Sequence, residues 1–119
     1  MSPISFEDLA NKTPRYGDAL RALDGWIRAH ASVDVINPAA LAKELKSFNP
    51  LDLAGALGEA EHAGLLERRY KVLTPSGVLD DNEFEDPTKI PETLPDRFNR
   101  YFATADADVI PVFRRAALR

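Results

Sequence analysis

Cysteine is absent from all 119 residues. That gap excludes disulfides, thiolate metal sites and cysteine nucleophiles, and it fits a reducing cytoplasm, the expected location. Long apolar runs are missing too. None approaches the roughly 18 residues a membrane helix needs, so no membrane partner is expected. The first ten residues lack a basic start and carry Glu7 and Asp8, which argues against a secretory signal. Histidine is scarce: His30 and His62 stand far apart without HxxxH-type spacing, which disfavours a zinc site. There is no phosphate-cradling glycine loop and no strained turn around a nucleophilic serine. The expectation is a non-enzymatic chain with no cofactor, no metal and no small-molecule substrate.

Positive charge is also in deficit. Fifteen lysines and arginines face nineteen aspartates and glutamates, a net charge of −4. Proteins that bind nucleic acid draw affinity from cations set against phosphates, so this balance lowers the expectation of such a partner without excluding a local basic stripe. What the chain has is enough apolar residue, 45%, beside 29% charged, to fold as one compact domain.

Ser5, with Asp8 three residues on, reads as the cap of a short helix within residues 1–12. Thr13-Pro14 reads as a cap followed by proline at the first helical position. The helix after it carries Tyr16, Leu20, Leu23, Ile27 and His30 at three- and four-residue steps. His30 lies on that apolar stripe, where a half-buried, hydrogen-bonded histidine is expected. Residues 33–36 (Val-Asp-Val-Ile) read as a short strand. Asn37-Pro38 opens a helix over Ala39 to Lys46, and Asn49-Pro50 opens a third to about Ala63, with Gly64 as its terminator. Leu66 to Leu73 reads as a strand, Thr74-Pro75-Ser76-Gly77 as a turn, and Val78-Leu79 as the start of the returning strand.

Two helices separated by a few residues form a helix-turn-helix arrangement. The Val33–Ile36 strand before them, and Gly64-Leu65-Leu66 leading through Tyr70 to Thr74-Pro75-Ser76-Gly77 after them, resemble the winged helix-turn-helix superfamily over residues 14–79. The resemblance implies an α+β, mainly α fold in the order helix, strand, helix, helix, strand, turn, strand. It also implies DNA binding as the usual role of such a domain.

Residues 80–119 change character. Asp80 to Asp86 holds five carboxylates in seven residues, and prolines follow at 87, 91, 95 and 111. The run lacks the glycine and closing glutamate of an EF-hand, so a solvated acidic loop is expected rather than a calcium site. Phe84, Ile90, Leu94, Phe98, Tyr101 and Phe102 supply apolar surface to pack this extension onto the domain as part of one compact unit. Asp96 to Phe102 reads as a short helix, Val109 to Phe113 as an edge strand tolerant of Pro111, and the closing arginines as a frayed end.

In a DNA-reading winged helix the second helix of the pair enters the major groove, and its outer face contacts bases through arginine, lysine, asparagine or glutamine. Here none of these four occurs from Leu51 to Leu65, and His62 is the one potential cation. The helix instead offers Asp52, Ala54, Gly55, Gly58, Glu59 and His62. Glycine costs a helix about 1 kcal/mol relative to alanine. Two of them call for something that approaches closely, either a partner protein or the chain's own C-terminal segment. DNA remains the alternative, held through Arg68, Arg69 and Lys71 on the strand with Lys43 and Lys46 on the preceding helix. Residue chemistry favours a protein partner, and the role usual for the fold favours DNA.

Overall fold

The computed structural model describes residues 4–33 and 35–116. The chain is mainly helical with antiparallel strands, and it divides into two compact units. One comprises Met1–Glu67 with Phe113–Arg119, and the other Arg68–Val112. The division falls inside two strands.

In the helical unit, α1 (Phe6–Lys12) begins on a complete capping box. The Asp8 amide donates to Ser5 Oγ at 3.0 Å, and Asp8 Oδ2 accepts from the Ser5 amide at 3.3 Å. Thr13-Pro14 opens a single 3₁₀ turn, Pro14–Tyr16, with no hydrogen bond from the Thr13 side chain. The long helix α2 then starts at Gly17 and ends at Ala29. Asn37 and Asn49 act as the sequence predicts. Each side chain accepts from the amide two residues on, at 3.0 Å from Ala39 and 2.8 Å from Leu51, starting α3 (Pro38–Glu44) and α4 (Pro50–His62). Gly64, at φ +82°, closes α4: its amide donates to Glu61 O, and the Leu65 amide donates to Ala60 O. Leu20 and Leu23 of α2, Leu41 of α3 and Leu57 of α4 are fully buried and form the centre of this unit's core. Each contributes roughly 1.5–3 kcal/mol by leaving water.

The expected strand at Val33–Ile36 is reduced to one bridge. Ile36 exchanges both backbone bonds with Phe113, at 2.6 and 3.0 Å. Val33 instead closes the turn after α2 by donating to His30 O, which withdraws it from pairing. Asp34 lies outside the described residues.

The strands are β1 (Leu66–Val72), β2 (Thr93–Pro95), β3 (Tyr101–Ala103) and β4 (Val109–Arg115). β1 pairs with β4, and β2 with β3. As expected, β4 is an edge strand, one of the two strands of its sheet, and on the side away from β1 Phe113 carries the isolated Ile36 bridge. Pro111 is accommodated by parity. Phe113 directs its amide away from β1, so Pro111, two residues earlier, lacks an N–H on that same outer side, and the β1–β4 ladder loses nothing. Arg115 is anchored rather than frayed. Its guanidinium donates to Ile27 O at 3.0 Å, Ala31 O at 3.3 Å and His30 O at 3.4 Å, placing a cation at the negative end of α2.

In the other unit, Thr74–Gly77 forms the expected turn, with the Gly77 amide on Thr74 O and Gly77 at φ +84°. The returning leg pairs twice, at Leu79 with Leu73 and at Phe84 with Tyr70. Four residues lie between Leu79 and Phe84 where only two lie between Tyr70 and Leu73, so the acidic run forms a bulge in this leg. The predicted helix at Asp96 to Phe102 is a hairpin instead. Asp96 Oδ1 accepts from the amides of Phe98 and Arg100, at 2.8 and 2.9 Å, and Asn99 takes a left-handed φ of 60°. That turn chemistry, joined to the β2–β3 pairing, overrides the helical spacing of the aromatics. Phe98 and Tyr101, expected to be packing residues, are 64% and 73% exposed.

Candidate functional site

The outer face of α4 is the first candidate. Leu53, Ala56, Leu57 and Ala60 turn inward and are buried. Leu51, Ala54, Gly58 and His62 follow one another at three- and four-residue steps, so they share one face. Leu51 is 77% exposed, and a Cβ built on Gly58 would meet nothing within 4 Å. Asp52 and Glu59 flank this line and are half-buried.

Gly55 does not belong to the open face. A Cβ there would stand 2.3 Å from Tyr16 Cε1 and 2.4 Å from Cζ. The close approach that this glycine permits is made by the chain itself, through the 3₁₀ turn before α2 and not through the C-terminal segment. Arg15 lies beside it, its guanidinium 5.2 Å from the Tyr16 ring centroid. Its pKa is raised, first by its hydrogen bond to Tyr16, then by the charges of Tyr16 and Asp52. Asp52 thus has a cation near it that sequence spacing does not reveal.

The five candidate nucleic-acid residues are not gathered in one unit. Lys43 and Lys46 are exposed near the end of α3 in the helical unit, whereas Arg68, Arg69 and Lys71 are half-buried on β1 in the other. Strand alternation sends Arg69 and Lys71 to one face and Arg68 to the face of Tyr70 and Val72. Arg69 donates to Arg68 O at 2.9 Å. The three cations therefore form no single stripe.

The acidic run is organised locally. Asp80 Oδ2 accepts from the Asn82 amide at 3.0 Å and from its side-chain nitrogen at 2.8 Å. Asp86 accepts from the amide and hydroxyl of Thr88, both at 2.9 Å, and caps a 3₁₀ turn at Pro87–Lys89. Those bonds, the amide first, lower the Asp86 pKa. Glu85 pairs with Lys89 at 3.6 Å. Among the described residues no three or more His, Asp or Glu gather as a metal-ligand set. No helix among them is long and apolar enough to cross a membrane.

His30 is occupied structurally. Its Nδ1 donates to Trp26 O at 2.8 Å, its ring stacks on Trp26 with centroids 4.2 Å apart, and Nε2 stands 3.8 Å from Glu44. The Trp26 indole nitrogen donates to the same Glu44 carboxylate.

Neither family models, nor curated proteins, nor solved structures yield a match to this chain.

Proposed function

We propose that the chain is a non-enzymatic winged-helix protein that acts as a protein-interaction module, as an adaptor, small subunit or regulator in the cytoplasm. In this reading α3 and α4 are the helix-turn-helix pair and the hairpin from Leu66 to Leu79 is the wing. The outer face of α4 docks another protein. The observation that carries the reading is Leu51, 77% exposed at the head of a face whose remaining members are Ala54, Gly58 and His62. An exposed leucine in line with small residues suits close apolar packing, and a helix without arginine, lysine, asparagine or glutamine after its cap is poorly equipped to read bases.

The second reading, a DNA-binding regulator, rests on Arg69 and Lys71 sharing one face of β1, with Lys43 and Lys46 exposed near the end of α3. One experiment separates the two. A photo-crosslinking residue placed at Ala54, in cells of the native source with and without nuclease, is expected to trap a protein in both conditions. Leu51→Lys and Gly58→Arg are expected to abolish the adduct. In parallel, binding of mixed-sequence duplex is read by fluorescence anisotropy across a salt series. Duplex binding that falls steeply with salt and is lost in Arg69→Ala/Lys71→Ala, with no protein adduct at Ala54, would overturn the first reading and establish the second.

A further inference from the structure

The hairpin joining β2 to β3 ends in Arg97, Phe98, Asn99 and Arg100, followed by Tyr101. Its backbone is fixed by the two amides bound to Asp96 and by the Asp96 amide on Arg100 O. On this fixed turn Phe98 stands 64% exposed, with the Arg97 guanidinium 4.8 Å from its ring centroid. Beside it lies an open groove of about 280 Å³ between this turn and the Thr74–Gly77 turn. Val78, Leu79, Asp80, Asp81, Pro95 and Arg97 are among its lining residues, and Val78 is 51% exposed. The groove and the ring belong to the same compact unit.

One small surface therefore carries an open groove with Val78, Leu79 and Pro95 as its apolar lining among polar residues, an exposed ring able to pack against them, and both signs of charge. In an isologous contact the same patch meets itself across a two-fold axis, so a surface holding both a ring and apolar lining, and both Arg97 and Asp81, offers matching partners to a second copy. We propose that it is a self-association surface: two copies pack these hairpins together, each placing Phe98 in its partner's groove against Val78 and Pro95, with Arg97 facing Asp81 across the axis. A second copy fits better than nucleic acid, because Asp80 and Asp81 share the groove with Arg97 and repel phosphate. A standard stable interface buries roughly 800 Å² per partner, and a contact confined to two turns on each copy is expected to be weak and concentration-dependent. The surface is independent of the α4 face, and its failure would leave the protein-interaction reading intact.

Sedimentation velocity on the full chain, from low to high micromolar, tests this. The wild type is expected to shift reversibly from monomer to dimer. Phe98→Ala is expected to weaken the dimer about tenfold or more, as truncation of a central aromatic anchor does. Arg97→Glu and Asp81→Arg, each alone, place like charges across the axis and are expected to stay monomeric. Mixed in equal amounts they restore both cross-axis pairs and are expected to dimerise within a few-fold of wild type. The proposal is overturned by a wild type that stays monomeric throughout, by Phe98→Ala dimerising as wild type does, or by a mixture no better than its components. An added single-stranded oligonucleotide that binds through Phe98 to a monomeric chain overturns it as well.

Discussion

Gly55 and Gly58 lie three residues apart on one helix, and alanine is expected to have opposite effects at the two. At Gly58 a new Cβ meets nothing within 4 Å, so Gly58→Ala returns the helix-propensity difference, about 1 kcal/mol, as added stability. At Gly55 the same methyl group stands 2.3 Å from Tyr16 Cε1 and 2.8 Å from its hydroxyl oxygen, well inside contact distance. Tyr16 is half-buried against the helical core, and the ring must leave its seat. Overpacking of this kind costs about 1–3 kcal/mol. Set against the same propensity gain of about 1 kcal/mol, the net effect of Gly55→Ala is a loss near 1 kcal/mol, within a range of about 0–2. The decisive control is Tyr16→Ala. With the ring absent, Gly55→Ala becomes another solvent-side substitution and is expected to stabilise by about 1 kcal/mol, which makes the coupling between the two positions about 2 kcal/mol. Urea unfolding followed by far-UV circular dichroism measures all four members of the cycle, provided the slopes agree. If Gly55→Ala stabilises the wild type as much as Gly58→Ala does, or if its sign is unchanged without Tyr16, the Tyr16–Gly55 contact does not govern this helix.

Removing Arg115 tests whether the C-terminal strand holds the end of α2. Arg115→Ala frees the carbonyls of Ile27, His30 and Ala31 from a cation at the helix's negative end and is expected to cost about 1 kcal/mol. The loss should shrink at high salt, and an unchanged urea midpoint would show that water replaces the guanidinium at no cost. Asp86 supplies a pH-dependent test. Its folded-state pKa is lowered by the Thr88 amide and hydroxyl, so its support of the Pro87–Lys89 turn is present above the ordinary aspartate range and is lost as pH falls through the folded value. In an NMR titration the Thr88 amide should therefore report a carboxylate that protonates below that range, and Asp86→Asn should remove the inflection. A titration at or above the ordinary value would contradict the bond.

The parts of this fold that the sequence predicts correctly are those decided within about four residues. Ser5 with Asp8, Asn37-Pro38, Asn49-Pro50 and Gly64 each satisfy orphan backbone groups of their own helix, and the Thr74–Gly77 turn needs only proline and a glycine at positive φ. Thr13-Pro14 shows the limit of that logic. The same signal opens a lone 3₁₀ turn, which places Tyr16 over Gly55, a residue far along the chain. The two helix glycines are identical in sequence terms, and only the packing partner distinguishes the one that the chain covers from the one left open. The hairpin at Asp96–Arg100 was readable in principle, since aspartate followed three residues later by asparagine suits a turn closed by a left-handed residue. The spacing of Phe98, Tyr101 and Phe102 mimics a helix and conceals it. Which of those rings is covered is set by the β2–β3 register. Leu94 lies opposite Phe102, and Leu94 is buried, whereas Tyr101 lies opposite Pro95 on the other face and is exposed. The candidate sites divide along the same line. The absence of cations on α4 is a property of the sequence alone and is visible there, whereas the groove beside Phe98 is built from two turns distant in sequence and becomes visible only once they are folded.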